Sequence, residues 1–485
     1  MTVTTFLSNN QPHSPLSAKF IQSSKIAVAS LALFFGLSGL SHAQEKVEAL
    51  YQANCASCHG AKLAGGMADS LLNDKWLKDG SPASLTQIIK KGAANYGMPA
   101  WESALSDEQI RSLVIYINEQ RYKIAREASK GDTQAKTITS LGHTFNIETL
   151  HVADSILWAL EHLPDGSMLA TQRNGELLHI STSGELINKV KNLPAIWQNG
   201  QGGLLDITLH PNFDKNGWIY LSYASSKDGK NGTTKIARGR VKDNTWVDHE
   251  DIFVVADEAH TSSRRHFGSR IVFSEGYVYF GFGDRGDRPS AQDMSLPNGK
   301  VFRLHDDGRI PEDNPFMAQK DALPGIWSVG HRNPQGMVVE PSSGRIWQSE
   351  HGPRGGDEVN VIHKGANYGW PVITYGMNYN GTPITHLTEK EGMEQPKHYW
   401  VPSIAVAGID FYDGDMFTQW KGKMLVGGMG IQELQLLTTQ GEKVEKVERI
   451  LSDRGRIRDV SVASDGAIIL VVTIDGKGHV LRLSV

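Results

Sequence analysis

Residues 276–280 read Gly-Tyr-Val-Tyr-Phe, a turn glycine followed by a burst of strand-forming side chains. The pattern returns as Gly166-Ser-Met-Leu-Ala, Gly217-Trp-Ile-Tyr-Leu, Gly344-Arg-Ile-Trp, Gly422-Lys-Met-Leu-Val and Gly466-Ala-Ile-Ile-Leu, which makes six occurrences at irregular spacing. β-branched and aromatic residues suit a pleated, half-buried surface, and glycine suits the turn before it. A single four-stranded unit cannot bury its own face, whereas several arranged radially can, and they leave few exposed edges. Repeats of about 40–50 residues match propeller blades with longer loops inserted between some of them. A β-sandwich with unrelated hairpins would carry similar turns. The six-fold recurrence favours an all-β six-bladed propeller, placed at residues 141–485, and the 50 glycines agree with a turn-rich body.

Upstream the pattern is helical. Ser106-Asp107-Glu108-Gln109 is a capping-box sequence, and Ile110, Leu113, Val114 and Ile117 follow at helical spacing. Residues 44–122 are therefore expected to form a small all-α domain. Residues 123–140 are polar, with Glu127, Ser129, Gly131 and Gln134, and read as a linker or a loosely packed helix end. At the N-terminus, Lys19 and Lys25 precede an apolar stretch over 26–40 and then Ser41-His42-Ala43. That stretch is shorter than the roughly 20 residues of a spanning helix. Its small-x-small ending suits cleavage of a signal peptide over 1–43. Export to the periplasm is expected. The long polar segment before Lys19 leaves a retained anchor as the alternative, and membrane association is expected only in that case. The 49 basic and 53 acidic side chains are well mixed, with a net charge of −4. Such a chain has no long-range attraction for nucleic acid or anionic lipid.

The only two cysteines are Cys55 and Cys58. A structural disulfide or a redox dithiol would fit that pair taken alone. His59 follows directly, and Cys55-Ala56-Ser57-Cys58-His59 is the C-x-x-C-H signature of covalent haem attachment. Each thiol adds to a haem vinyl group, and His59 is placed beneath the iron. For the second axial ligand the sequence offers Met98, in Gly97-Met98-Pro99-Ala100-Trp101, and Met67 in a glycine-rich loop. Met98 is favoured because proline stiffens its loop. His/Met ligation raises the potential and suits electron transfer. Residues 45–122 resemble the small class I cytochromes c.

A c-type haem carries one electron at a time, so the fused domain should supply electrons. The propeller has no dinucleotide fingerprint and no further haem motif, which points to a non-covalent organic redox cofactor in its mouth. The main segments bearing on its identity are Gly200-Gln201-Gly202-Gly203, His266-Phe267-Gly268-Ser269-Arg270, Gly281-Phe282-Gly283-Asp284-Arg285-Gly286, Gly330-His331-Arg332-Asn333-Pro334-Gln335-Gly336, Ser349-Glu350-His351-Gly352-Pro353, Asn367-Tyr368-Gly369-Trp370-Pro371 and Arg454-Gly455-Arg456-Ile457-Arg458-Asp459. Together they resemble the soluble glucose, aldose sugar and sorbosone dehydrogenases that use pyrroloquinoline quinone (PQQ), from about residue 149 to the C-terminus.

The resemblance implies oxidation of an aldose-type sugar hydroxyl by hydride transfer to PQQ. Electrons would then pass to the fused haem and on to an external cytochrome or the respiratory chain. His266 matches the general base. The cation of Arg265 beside it would help keep that imidazole neutral. Arg332 and Asn333 match residues at the reactive quinone carbonyl. Gln201, Tyr379, Gly430, Arg456, Ile457 and Arg458 match the rest of the cofactor pocket. Gly352 and Pro353 resemble the pair whose carbonyls hold the Ca²⁺ at PQQ, and Glu358 with the Tyr368 carbonyl resembles a second calcium site. One departure stands out. The family commonly places a lysine on PQQ after a Phe-x-x-Trp segment, whereas here Phe417-Thr-Gln-Trp420 leads to Met429-Gly430 without one. The alternative to this reading is a cytochrome-fused propeller with lactonase-like or purely binding function.

Overall fold

The computed structural model describes residues 46–73, 79–128 and 135–485, so the expected signal peptide lies outside the described residues. From residue 137 onward the chain forms six sheets, five of four strands and one of five. The first strands of successive blades are Leu157–His162, Leu204–Leu209, Ile271–Ser274, Pro334–Val339, Val406–Phe411 and Arg456–Val462. They touch one another in a closed ring around the central axis. The sixth blade combines three C-terminal strands with His143–Val152 and Thr137–Ser140. Pairs such as Asn146 with Ser484 and Ile147 with Leu483 stitch the start of the domain to its end. That pairing locks the ring shut, and each blade keeps only its outermost strand as an edge.

Each of the six recurring glycines stands one or two residues before the second strand of its blade. Their φ angles lie between 67° and 86°, a region that glycine enters without steric cost. The spacing is irregular because two blades carry long insertions, at 306–325 and 362–397. At the axis, buried Arg270 bonds Asp206 Oδ1 (2.8 Å), Asp459 Oδ1 (2.9 Å) and the carbonyls of Gln335 (2.7 Å) and Arg458 (3.0 Å). Asp459 in turn accepts from the Leu160 amide. Directly, or in the case of Leu160 through Asp459, this guanidinium links five of the six innermost strands.

The N-terminal domain comprises α1 (Val47–Asn54), α2 (Ala56–His59), α3 (Pro82–Lys91) and α4 (Asp107–Ala128). The capping box is formed: the Ser106 amide donates to Gln109 Oε1 (2.9 Å), and the Gln109 amide donates to Ser106 Oγ (3.4 Å). Ile110, Leu113, Val114 and Ile117 pack on Val47, Leu50 and Tyr51 of α1 and on Leu85 and Ile89 of α3. A second stripe of α4, spaced at helical intervals, meets the propeller. Arg111 donates to the carbonyls of Thr374 (2.7 Å), Thr385 (3.0 Å) and His386 (3.0 Å). Ile115 lies against Gly355, and Glu119 accepts from Arg354. Tyr122 Oη donates to Glu433 Oε1 (2.6 Å), and Arg126 Nε to Asp453 Oδ1 (3.0 Å).

Of the two readings of 123–140, a linker or a helix end, residues 123–128 follow the second. The helix runs on to Ala128 because Arg126 is anchored, and the strand pairing begins at Thr137. Of the residues between these two elements, 129–134 lie outside the described residues.

Candidate active site

The site lies where the chain enters the innermost strands. His266 precedes the first strand of the third blade and adopts φ = 55°, left-handed for a residue with a Cβ. Its loop is held from several sides. The His266 amide donates to Gln201 Oε1 (2.7 Å), and the Gly268 amide donates to Asn333 Oδ1 (3.2 Å). Arg285 stacks 3.4 Å over the Phe267 ring and donates to the carbonyls of Arg265 and Ser263. A side chain at Gly283 would strike the His266 carbonyl at 2.2 Å, so only glycine permits this approach.

His266 Nδ1 lies 2.6 Å from Asp284 Oδ1, and the Asp284 side chain is fully buried. Asp284 also accepts from the Gly286 amide (2.7 Å) and from Trp370 Nε1 (2.8 Å). Burial alone would raise this carboxyl, but the His266 hydrogen bond and the Arg332 charge outweigh it and hold it below its usual value. An ionised carboxylate only accepts, so the proton sits on Nδ1 and Nε2 is left as a lone-pair base. Burial, then the Arg332 charge and lastly the Arg265 charge depress the imidazole, against the opposing pull of Asp284. His266 is therefore neutral near neutral pH. The expected influence of Arg265 is present, as the smallest of these contributions.

Arg332 is anchored by its amide to Glu350 Oε2 (2.6 Å) and by Nη1 to the carbonyls of His351 (2.9 Å) and Gly352 (2.8 Å). Its buried Nε has no partner, and neither has His351 Nε2. Across the site, Arg458 is lowered to about 9 by burial and by the like charges of Arg456 and Arg173. Arg173 Nε is a further buried donor without a partner. Arg458 bonds Thr473 Oγ1 (2.8 Å) and sits 5.2 Å above the Trp158 ring, while its Nη1 meets Met429 Sδ at 3.4 Å. Met429 thus presents a soft acceptor to a guanidinium, in the segment where the resemblance led one to expect a lysine. The Gly430 amide is committed to the Ile404 carbonyl (2.8 Å). Ile457 is buried in the blade core, and Tyr379 is 69% exposed on a surface loop. Three crowded guanidiniums, with unpartnered donors at Arg173 and Arg332, fit a flat ligand bearing several carboxylates.

For cations the candidate donors are backbone carbonyls together with the side chains of Glu350 and Glu358. Among the described residues, no group of three or more His, Cys, Asp or Glu side chains is arranged to hold a metal. The Gly352 carbonyl accepts from Arg332 Nη1 at 2.8 Å and keeps a second lone pair that a cation could use. Glu350, Glu358, Gly352 and Tyr368 line one cavity. Burial, reinforced by the charge of Glu350, drives the Glu358 carboxyl well above its usual value. The buried Glu350 and the half-buried Glu358 in one cavity would suit a hard divalent ion, whose charge would favour the ionised form of both.

In the helical domain Cys55 is half-buried and Cys58 is exposed, on either side of the start of α2. His59 Nδ1 lies 3.1 Å from the Asp69 carbonyl, which directs its proton there and frees Nε2 for an iron. Met98, bridged to Ala93 by its backbone, packs with Cys55 on the same core, whereas Met67 is 82% exposed. These groups fit a covalently attached haem with Met98 as the second ligand.

Sequence reasoning missed four members of the site. Asp284 and Glu350 stood inside quoted motifs without a role, as did His351. Arg173 stands in no motif, and only the closure of the ring brings it to Arg458.

Comparison with known proteins agrees with this architecture. Residues 154–482 match the family model for glucose/sorbosone dehydrogenase, and residues 42–117 match that for cytochrome c oxidase, cbb3-type, subunit III. Aldose sugar dehydrogenase YliI of Escherichia coli is 42% identical over 347 residues, covering 70% of this chain and 93% of its own. The crystal structure of the soluble aldose sugar dehydrogenase from Escherichia coli in the apo-form superposes with a TM-score of 0.67 at 41% identity, over 70% of this chain and 99% of that one. The cbb3-type cytochrome c oxidase subunit CcoP of Azospirillum brasilense is 39% identical over 83 residues, 16% of this chain and 28% of its own. The propeller, its His266–Asp284 pair and the helical domain ahead of it have one common reading: the chain belongs to the glucose/sorbosone dehydrogenase family and carries an N-terminal cytochrome c domain.

Proposed function

We propose that this protein is a periplasmic quinohaemoprotein that oxidises an aldose-type sugar at PQQ and passes the electrons to its own haem c. The observation that carries the reading is the His266–Asp284 pair, a neutral base fixed in one tautomer opposite a cluster of unneutralised guanidiniums. His266 Nε2 takes the proton of the sugar hydroxyl. Asp284 keeps Nδ1 protonated and steadies the imidazolium that results. Bound PQQ supplies the hydride acceptor. Arg332, with its amide anchored by Glu350, stabilises negative charge developing in front of it, and Asn333 holds the His266 loop in register with Arg332. Arg173, Arg456 and Arg458 answer the cofactor's carboxylates. Ca²⁺ would be held by the Gly352 and Pro353 carbonyls, and a second ion by Glu350, Glu358 and the Tyr368 carbonyl. An external cytochrome or the respiratory chain would reoxidise the haem.

The test is a visible spectrum of the full-length protein with PQQ and Ca²⁺, recorded before and after adding a panel of aldoses. Haem reduction that needs both PQQ and sugar is expected. Haem that dithionite reduces but no aldose does, in protein that retains PQQ, would reject the aldose. The same result in protein that fails to retain PQQ would favour a lactonase-like or binding propeller.

A further inference from the structure

The loop that follows Gly352-Pro353 leads straight into the helical domain. Arg354 is fixed by a two-way backbone bridge with Met377 (3.0 and 2.9 Å), and Met377 is buried in the same cluster as the cytochrome helices. The Arg354 guanidinium forks onto Glu119 of α4, Nε to Oε1 at 2.8 Å and Nη2 to Oε2 at 2.7 Å. Nη2 also donates to Glu48 Oε1 of α1 at 3.1 Å. Arg354 and Glu119 are 18% and 16% exposed, so the pair is shielded from water. A bidentate, shielded arginine–carboxylate pair holds geometry far better than a surface ion pair. The haem-bearing Cys55 lies seven residues beyond Glu48, about 10 Å along the α1 axis. On the other side, Arg332 grips the Gly352 carbonyl from within the candidate active site. A run of direct contacts thus joins the active-site arginine, the cofactor loop, Arg354 and the helix that ends at the haem attachment point.

We propose that Arg354, clamped by Glu119 and Glu48, is the positioning residue for electron transfer, holding the haem-bearing helices at one place on the rim of the sugar site. This rests on the reading above that the propeller reduces the haem. Oxidation of one sugar hydroxyl to the carbonyl level releases two electrons and two protons. The ferric haem takes one electron per reduction to the ferrous state. Each turnover therefore requires two passages across this junction, with a one-electron acceptor such as ferricyanide reoxidising the haem after each. A domain that must find its place again before each passage would slow both.

The experiment uses the full-length protein loaded with haem, PQQ and Ca²⁺, compared with Glu119→Arg and with the charge-swapped pair Glu119→Arg/Arg354→Glu. Stopped-flow absorbance reads haem reduction by sugar, and a small dye reads sugar oxidation by the propeller directly. In Glu119→Arg, haem reduction is expected to slow on the order of tenfold, the cost of losing a shielded charge pair, with dye-linked oxidation unchanged. The swap is expected to recover much of the loss. Amide exchange of the oxidised protein without sugar gives a readout independent of turnover: α1 and residues 352–356 should exchange faster together in Glu119→Arg. Wild-type haem reduction and wild-type exchange in that variant would overturn the proposal. A native protein whose haem stays oxidised while the dye is reduced by sugar would instead overturn the electron route on which it rests.

Discussion

Asp284→Asn tests the chemistry of the site with almost no change of shape. The carboxylate accepts three hydrogen bonds, from His266 Nδ1 (2.6 Å) and the Gly286 amide (2.7 Å) on Oδ1 and from Trp370 Nε1 (2.8 Å) on Oδ2. An amide has one oxygen. If that oxygen faces His266 and Gly286, its NH₂ opposes the Trp370 N–H, and a fully buried donor is left unsatisfied at about 1–3 kcal/mol. If the amide turns over, its NH₂ donates to Nδ1, forces the proton onto Nε2 and blocks the base. Either orientation also removes the charge that stabilises the imidazolium. The expected loss in kcat is about 10²–10⁴-fold, the range for general-base catalysis and for a histidine held in the wrong tautomer. PQQ affinity should change little, because no guanidinium is touched. Loss of the carboxylate also removes the one nearby charge that raises the His266 pKa, so the acid limb of any residual activity should move to lower pH. The assay is dye-linked sugar oxidation across pH, with PQQ retention measured on the same samples. Activity within about threefold of wild type would refute the tautomer argument, since the blocked base alone demands more than that.

Other consequences can be checked separately. Arg173→Ala should weaken PQQ binding about 10- to 100-fold, the worth of one charge-assisted hydrogen bond; unchanged retention in a titration would remove Arg173 from the site. Arg270→Met leaves buried Asp206 and Asp459 without their cation and should cost about 3–5 kcal/mol, seen as a lower urea midpoint of the propeller; a loss below about 1 kcal/mol would show that the axis does not depend on the ion cluster. Met98→Ala should abolish the methionine-ligand features of the oxidised haem spectrum while Met67→Ala leaves them, and the reverse result would exchange the two assignments. Burial holds His398 down to about 4, below the 6.5 or so of an unfolded imidazole. The unfolded chain therefore binds more protons in that window, and stability should fall as pH drops from about 6.5 towards 4, by up to about 1.4 kcal/mol per pH unit. Substituting His398 with Gln should flatten that part of the melting-temperature profile, and an unchanged slope would refute the assignment.

What the sequence made legible was local. Six glycines each followed by strand formers gave one mark per blade, because the turn into the second strand needs a positive φ that side chains resist. Ser106 and Gln109 signalled the start of α4, because a capping box is complete within four residues. Cys55, Cys58 and His59 carried the haem reading, because attachment and ligation share one helical turn. Where function depends on residues brought together by ring closure, the chain was silent. Arg173 and Arg458 are 285 residues apart, and nothing near either names the other. The same limit explains the linker. Arg126 reads as one more polar residue past the end of a cytochrome domain until Asp453, in the loop between the fifth and sixth blades, is seen to hold it. Helix α4 then needs two readings at once. Its apolar positions 110, 113, 114 and 117 satisfy the small domain, which is all that a hydrophobic period reports. Its second stripe is made largely of arginine, glutamate and tyrosine, residues that an amphipathic pattern assigns to solvent. Their partners are carbonyls, an arginine and two carboxylates on another domain, and polar complementarity between domains leaves no periodic trace in either strand of text. A helix whose polar face repeats Arg-x₃-Ile-x₃-Glu-x₂-Tyr-x₃-Arg is better read as having two buried sides than as having one buried side and one wet one.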